Sequence, residues 1–194
     1  MLTSELLKSG TSSAHHRLEV QMRVKEIFNR TLTYAQYCEL IQVNYIVAAA
    51  IEADIHQALT GALREELTIE TRKKIPALEK DLDVLGLYKT VMHHPNKPGY
   101  ANAVEALGGM YVLEGATLGG NVIARRLQEI PALQDQPFHF YKVYGEEIRN
   151  KWLQFIEVLN RETGEDAEAC VAKANETFNF YFTIARNMMP QFIA

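Results

Sequence analysis

Apolar positions in this chain recur every three or four residues and almost nowhere alternate, the signature of helices rather than strands. The first such segment runs from about Ser4 to Val24, with Leu6, Leu7, His15, Leu18 and Met22 at helical spacing. Thr33 stands where an N-cap is expected before Tyr34 to Leu59, in which Tyr37, Leu40, Ile41, Asn44, Tyr45, Ala48 and Ile51 share a side. Gly61 ends that helix. Ile69 to Gly86 places Ile75, Leu78, Leu82 and Leu85 on one face, with Gly86 as its C-cap. His93 to Gly99 holds two prolines and a glycine and reads as a loop. Asn102 to about Glu129 is predicted as one long helix and Pro131 to Pro137 as a connection. Gly145 to Thr163 and Asp166 to Met189 close the series, the last carrying Phe178, Tyr181, Phe182 and Ile184. No repeat or low-complexity linker divides the chain. The prediction is a single all-α domain over residues 1–194, a bundle of about seven or eight helices.

Composition narrows the function classes. Hydrophobic residues make up 47% of the 194 and charged residues 23%, ordinary values for a globular domain. A net charge of -4 argues against nucleic acid as a partner, since such binders are usually basic. No apolar run approaches the ~20 residues that cross a bilayer, so no membrane partner is expected. Met1 to Glu5 lacks the basic start and apolar stretch of a signal peptide. Cys38 and Cys170, only two and far apart, read as free thiols in a reducing cytoplasm. A monomer is the default expectation.

Two places could carry chemistry. The long central helix holds Gly115, Gly119 and Gly120, and each glycine inside a helix costs about 1 kcal/mol relative to alanine. Spaced by four and five, they leave one side of the helix bare. Either another helix packs tightly there or a flat ligand lies against the backbone. The second place is Thr11 to Glu19, where His15 shares a side with Leu18 and Leu7 and is expected to face inward, with His16 nearer solvent. A neutral imidazole can be a hydrogen-bonded core group or a metal ligand, including to haem iron. Glu19, one turn on, could orient that ring.

Together these stretches are recognisable. The run Thr11-x-x-x-His15-x-x-x-Glu19, with Leu113-Glu114-Gly115-Ala116-Thr117-Leu118-Gly119-Gly120, resembles haem oxygenases, above all the bacterial branch that supplies biliverdin to phytochromes. The resemblance covers nearly the whole chain. Tyr37, Leu40 and Tyr45 are similar to the family's second helix. The segment from Arg72 through Leu78 to Asp81-Leu82 is similar to its Arg-x-x-x-x-x-Leu-x-x-Asp-Leu run, and Tyr144-Gly145 with Trp152 and Phe155 to its late core.

The resemblance implies a haem-oxygenase-like fold and an enzyme that opens haem with O₂ and electrons to give biliverdin, CO and Fe²⁺. Haem is then cofactor and substrate at once. His15 is implied as the proximal iron ligand, with Glu19 beside it. Gly115, Gly119 and Gly120 are implied as the distal wall over the ring, leaving backbone rather than side chain beside the oxygen. Lys8 and Arg149, with Lys151 near it, are implied at the haem propionates, and Tyr111 and Phe178 at the ring. No flavin or nucleotide-binding loop is visible, so an external donor, a ferredoxin or a reductase, is expected to supply the electrons.

One position departs from the pattern. Animal members carry an aspartate where this chain has Ala116, and there it organises water; here Asn121, Thr117 and backbone groups are the expected substitutes. Three other readings compete. A thiaminase-like hydrolase would need a nucleophilic cysteine, and Cys170 has no supporting constellation. A carboxylate di-iron centre would start from Glu52-x-x-x-His56, but no second such pair appears and a surface position is expected for both. A non-catalytic haem-binding or haem-trafficking protein would use the same His15 pocket without turnover.

Overall fold

The structure, a computed structural model, describes residues 1–90 and 94–189. Every regular element among them is helical. The chain runs through α1 (Thr3–Gly10), α2 (Ser12–Gln21), α3 (Val24–Asn29), α4 (Tyr34–Ala58) and α5 (Gly61–Glu66). A 3₁₀ turn at Ile69–Arg72 leads into α6 (Ile75–Leu85). Then come α7 (Ala103–Leu118), α8 (Gly120–Gln128), a second 3₁₀ turn at Gly145–Glu147, α9 (Ile148–Glu162) and α10 (Ala167–Met188). Of the predicted 93–99 loop, His93 lies outside the described residues.

The caps explain several boundaries. Thr33 accepts from the Gln36 amide at 3.2 Å while Gln36 Oε1 accepts from the Thr33 amide at 2.9 Å, a reciprocal capping box that starts α4. Asn102 starts α7 by accepting from the Glu105 amide at 3.0 Å. Gly86, at φ 67°, ends α6 in the left-handed conformation that glycine adopts without strain. Three predicted helices are divided. The first breaks at Thr11, whose hydroxyl donates to the Leu7 carbonyl at 2.7 Å. Ile69 to Gly86 opens as a 3₁₀ turn, passes through an extended Lys73 and becomes α-helical only from Ile75. The long central helix breaks at Gly119, from which α8 leaves as a separate helix. Two short helices, α3 and α5, lie where the pattern predicts none.

The bundle is built around α7, which packs most extensively on α10 and also on α4 and α9. The α7–α10 seam is closed by Gly108, where a Cβ would lie 2.4 Å from the Cys170 carbonyl oxygen. Of the residues placed on apolar faces, Leu7, Leu40, Ile41, Ile51, Leu78, Leu82 and Phe155 are fully buried, while Leu6, Met22, Ile75, Leu85 and Phe182 are only half-buried. No helix among the described residues is long and apolar enough to cross a membrane.

Candidate functional site

Where α2, α7 and α10 face each other they do not close. They leave a cavity of about 540 Å³, with α3, α4, α8, α9 and the Phe140–Tyr141 turn completing its wall. That size falls within the range of ligand-binding clefts, roughly 300–1,000 Å³. Its wall is mainly apolar and aromatic.

His15 borders this cavity from α2. The expected burial is not found: His15 lies at the cavity edge with 54% of its side-chain surface open. Its Nδ1 lies 3.6 Å from Glu19 Oε2 on the next turn. That is just beyond hydrogen-bond distance; a carboxylate that closed on Nδ1 would favour the tautomer whose Nε2 lone pair is free for a metal. Phe178 stands edge-on to the ring, centroids 5.8 Å apart at 87°, and fixes it from α10. His16 is exposed.

Across the cavity stands α7. Gly115 and Gly119 both border it, and a Cβ at Gly115 would meet nothing within 4 Å. Gly120 is placed differently: a Cβ there would lie 2.1 Å from the Tyr141 carbonyl oxygen. Close packing therefore accounts for Gly120, and for Gly108 earlier on α7, but not for Gly115 or Gly119. Gly115 and Gly119 leave an open slot, while Gly120 and Gly108 permit close backbone packing. Tyr111 also borders the cavity, its ring 5.8 Å from that of Trp152 on α9.

Lys8 and Arg149 are exposed on α1 and α9 and stand outside the cavity wall. Ala116 borders the cavity and brings no polar side-chain atom. Neither of the two expected side-chain substitutes borders the cavity. The Thr117 hydroxyl donates to the Glu114 carbonyl at 2.8 Å, and the Asn121 amide to the Gly145 carbonyl at 2.8 Å. Glu114 is turned away from the cavity and buried with Arg72 and Lys74. Burial alone would raise its carboxyl, but the two cations more than offset that and hold it below the ordinary range.

The competing centres fall away. Burial pushes the Cys170 thiol up to about 12, the reverse of what a nucleophile needs. Glu52 and His56 are buried, not on the surface as expected. Glu52 accepts the backbone amides of Lys74 at 2.6 Å and Ile75 at 3.4 Å, so it anchors the start of α6.

Several wall residues escaped prediction as site residues: Trp152, Asn44, Tyr181 and the Phe140–Tyr141 turn. Asp81 holds that turn, accepting from the His139 and Phe140 amides at 2.8 Å each. The Arg72–Asp81 segment thus frames the cavity from behind, gripping α7 at one end and the Tyr141 turn at the other.

A helical bundle with a histidine and a glycine-bearing helix bordering an apolar cavity defines an all-α protein with room for a small-molecule ligand. The Heme oxygenase family model matches residues 1–187, and the chain belongs to that family, enzymes that open haem. A heme oxygenase from Xanthomonas campestris pv. campestris is 32% identical over 122 residues, 61% of this chain and 72% of that protein. The NO- and CO-bound heme oxygenase from Neisseria meningitidis superposes with a TM-score of 0.77 at 19% identity, covering 100% of this chain and 94% of that one. Heme oxygenase from Leptospira interrogans gives 0.74 at 17% identity, covering 96% of this chain and 100% of that one. Heme oxygenase-1 from the cyanobacterium Synechocystis, in complex with heme, gives 0.71 at 17% identity, covering 96% and 92%.

Proposed function

We propose that this protein binds haem in the cavity between α2 and α7 and opens it, with O₂ and electrons from an external ferredoxin or reductase, to biliverdin, CO and Fe²⁺. The observation that carries this reading is that His15 and Gly115, distant in sequence, border one cavity. The wall suits the group: mainly apolar and aromatic, with bare helix backbone at Gly115. When bound, haem supplies both the iron that takes up O₂ and the ring that is opened.

In this reading His15 would hold the iron through Nε2, and Glu19, 3.6 Å from Nδ1, would orient the imidazole. Phe178 braces that ring, and Tyr111 and Trp152 border the far part of the slot. Gly115 and Gly119 keep side chains away from the reacting face. Gly120 contributes indirectly, by letting α8 seat against the Tyr141 turn. Lys8 and Arg149 would reach the propionates only over the rim. Residues 1–194 act as one domain and as a monomer, and the two free cysteines fit a reducing cytoplasm.

The second reading, haem binding without turnover, draws on Ala116. One experiment separates them. The purified protein is mixed with haemin and then supplied with ascorbate or a ferredoxin system. A Soret band that decays as biliverdin absorption grows supports the enzyme. A Soret band that persists supports the carrier, and no Soret band sinks both. His15→Ala should lose the histidine-ligated spectrum; an unchanged spectrum moves the ligand elsewhere.

A further inference from the structure

Polar side chains are few in the cavity wall, and one group of them has no role in the reading above. Asn44 of α4, Tyr181 of α10 and Tyr141 of the intervening turn all border the cavity, and each is at most 6% exposed. The Tyr181 hydroxyl donates to Asn44 Oδ1. Asn44 Nδ2 donates to the Leu40 carbonyl at 2.7 Å. A side-chain amide carries two N–H groups, and only one of those on Asn44 is used within the protein. The Tyr181 oxygen, having given its hydrogen to Asn44, still accepts. Asn44 lies in a stretch of α4 with buried Leu40, Ile41, Tyr45 and Ile51, where a leucine would pack without any polar demand. The amide brings to the cavity wall a hydrogen-bonding capacity that a leucine would lack.

The chain also needs such a group. Ala116 supplies no carboxylate, and neither Thr117 nor Asn121 borders the cavity. Burial, and then the neighbouring Tyr141, raises the Tyr181 phenol far above its ordinary range, so it stays protonated at neutral pH.

We propose that Asn44 and Tyr181 hold an ordered water on the cavity side and that this water is the proton carrier for ring opening, in place of a carboxylate at position 116. The proposal rests on the haem-opening reading. The water gives a proton to the oxygen being reduced and regains one from solvent through the open mouth, while the electrons come from the external donor. Asn44 and Tyr181 are positioning residues: they act through the water they fix.

The test uses the full chain loaded with haemin, in the parent, Tyr181→Phe and Asn44→Leu proteins. The probe is carbon monoxide on the reduced complex, read by the infrared C–O band in H₂O and in D₂O. Both variants should keep the parent's Soret position, since His15 is untouched. Their C–O band should move to higher wavenumber and lose its D₂O sensitivity, because a hydrogen-bond donor has gone. Haem loss under reductant should slow by about tenfold or more. Tyr181→Phe keeps the ring in place and decides the matter even if Asn44→Leu folds poorly. A C–O band and turnover identical to the parent's in Tyr181→Phe would overturn the proposal and leave the haem-opening reading standing. A parent that takes up no haem would overturn both.

Discussion

Arg72 and Glu114, 42 residues apart in the chain, form a fully buried ion pair with Nη1 2.7 Å from Oε2. Each partner is also held elsewhere. Arg72 donates Nε to the Leu67 carbonyl at 2.6 Å and Nη2 to the Lys151 carbonyl at 2.9 Å and Gln154 at 3.0 Å. Glu114 Oε1 accepts from Lys74 and, at 2.7 Å, from the Tyr144 hydroxyl. The cluster ties α7 to α6 and α9 one residue before Gly115, and so fixes which side of α7 meets the cavity. Removing one partner of a buried pair leaves an uncompensated charge and costs about 3–5 kcal/mol. Glu114→Gln should therefore lower Tm by on the order of 10 °C in thermal unfolding. Replacing Glu114, Arg72 and Lys74 together by apolar residues should recover much of that loss.

The two kinds of glycine on this helix predict opposite phenotypes. At Gly120 an added methyl meets the Tyr141 carbonyl, backbone that cannot swing aside. Gly120→Ala should cost about 1–3 kcal/mol, as overpacking usually does. At Gly115 a methyl meets nothing within 4 Å, so helix propensity favours alanine by roughly 1 kcal/mol. Gly115→Ala should melt at or above the parent's temperature, yet bind and turn over haem less well because the methyl enters the slot. Paired melting curves and haemin titrations check this; equal turnover in Gly115→Ala and the parent would remove Gly115 from the site.

Helical periodicity made the fold legible, because burying one stripe of each helix is what organises this bundle. It also made the cavity half legible. Gly115 stood out because glycine is costly in a helix, and His15 because its neighbours placed it on the apolar side. Trp152, Asn44 and Tyr181 did not stand out, since the wall of an apolar cavity uses the same residues at the same spacing as a packed core. The partners of Arg72, Asp81 and Glu114 were not legible at all. Such pairs close across the fold, and a charge in a sequence carries no mark of which distant residue neutralises it. Glu52 and His56 read as surface residues for the same reason. Lys8 and Arg149 show the converse: their family positions suggest propionate contacts, yet both lie on the outer surface.

Asp81 gives a test of the cavity's back wall. Its two oxygens accept the His139 and Phe140 amides and so hold the turn that presents Phe140 and Tyr141 to the cavity. Asp81→Asn keeps the shape but offers one acceptor oxygen in place of two, leaving a buried amide unsatisfied at about 1–3 kcal/mol. Amide hydrogen exchange at His139 and Phe140 should accelerate, and haemin affinity should fall. Unchanged exchange there would mean that the turn is held by its own packing.

His56 predicts how stability responds to acid. Burial, and then the nearby Lys74, lowers its folded pKa to about 4 from the ordinary 6.5. Between those values the unfolded chain binds a proton that the folded protein does not. Stability from this group is therefore complete above pH 6.5, is lost as pH falls toward 4, and levels off below. The full loss is roughly 3 kcal/mol by proton linkage. Glu52, one turn earlier, works against this trend, because burial raises its folded carboxyl and protonation there favours the folded state. Comparing the parent with His56→Phe largely cancels the Glu52 contribution. Urea unfolding from pH 7 to pH 4 should show the parent losing stability more steeply than the variant, with most of the difference developing below pH 6.5. Parallel curves would mean that His56 gains its proton without leaving its site.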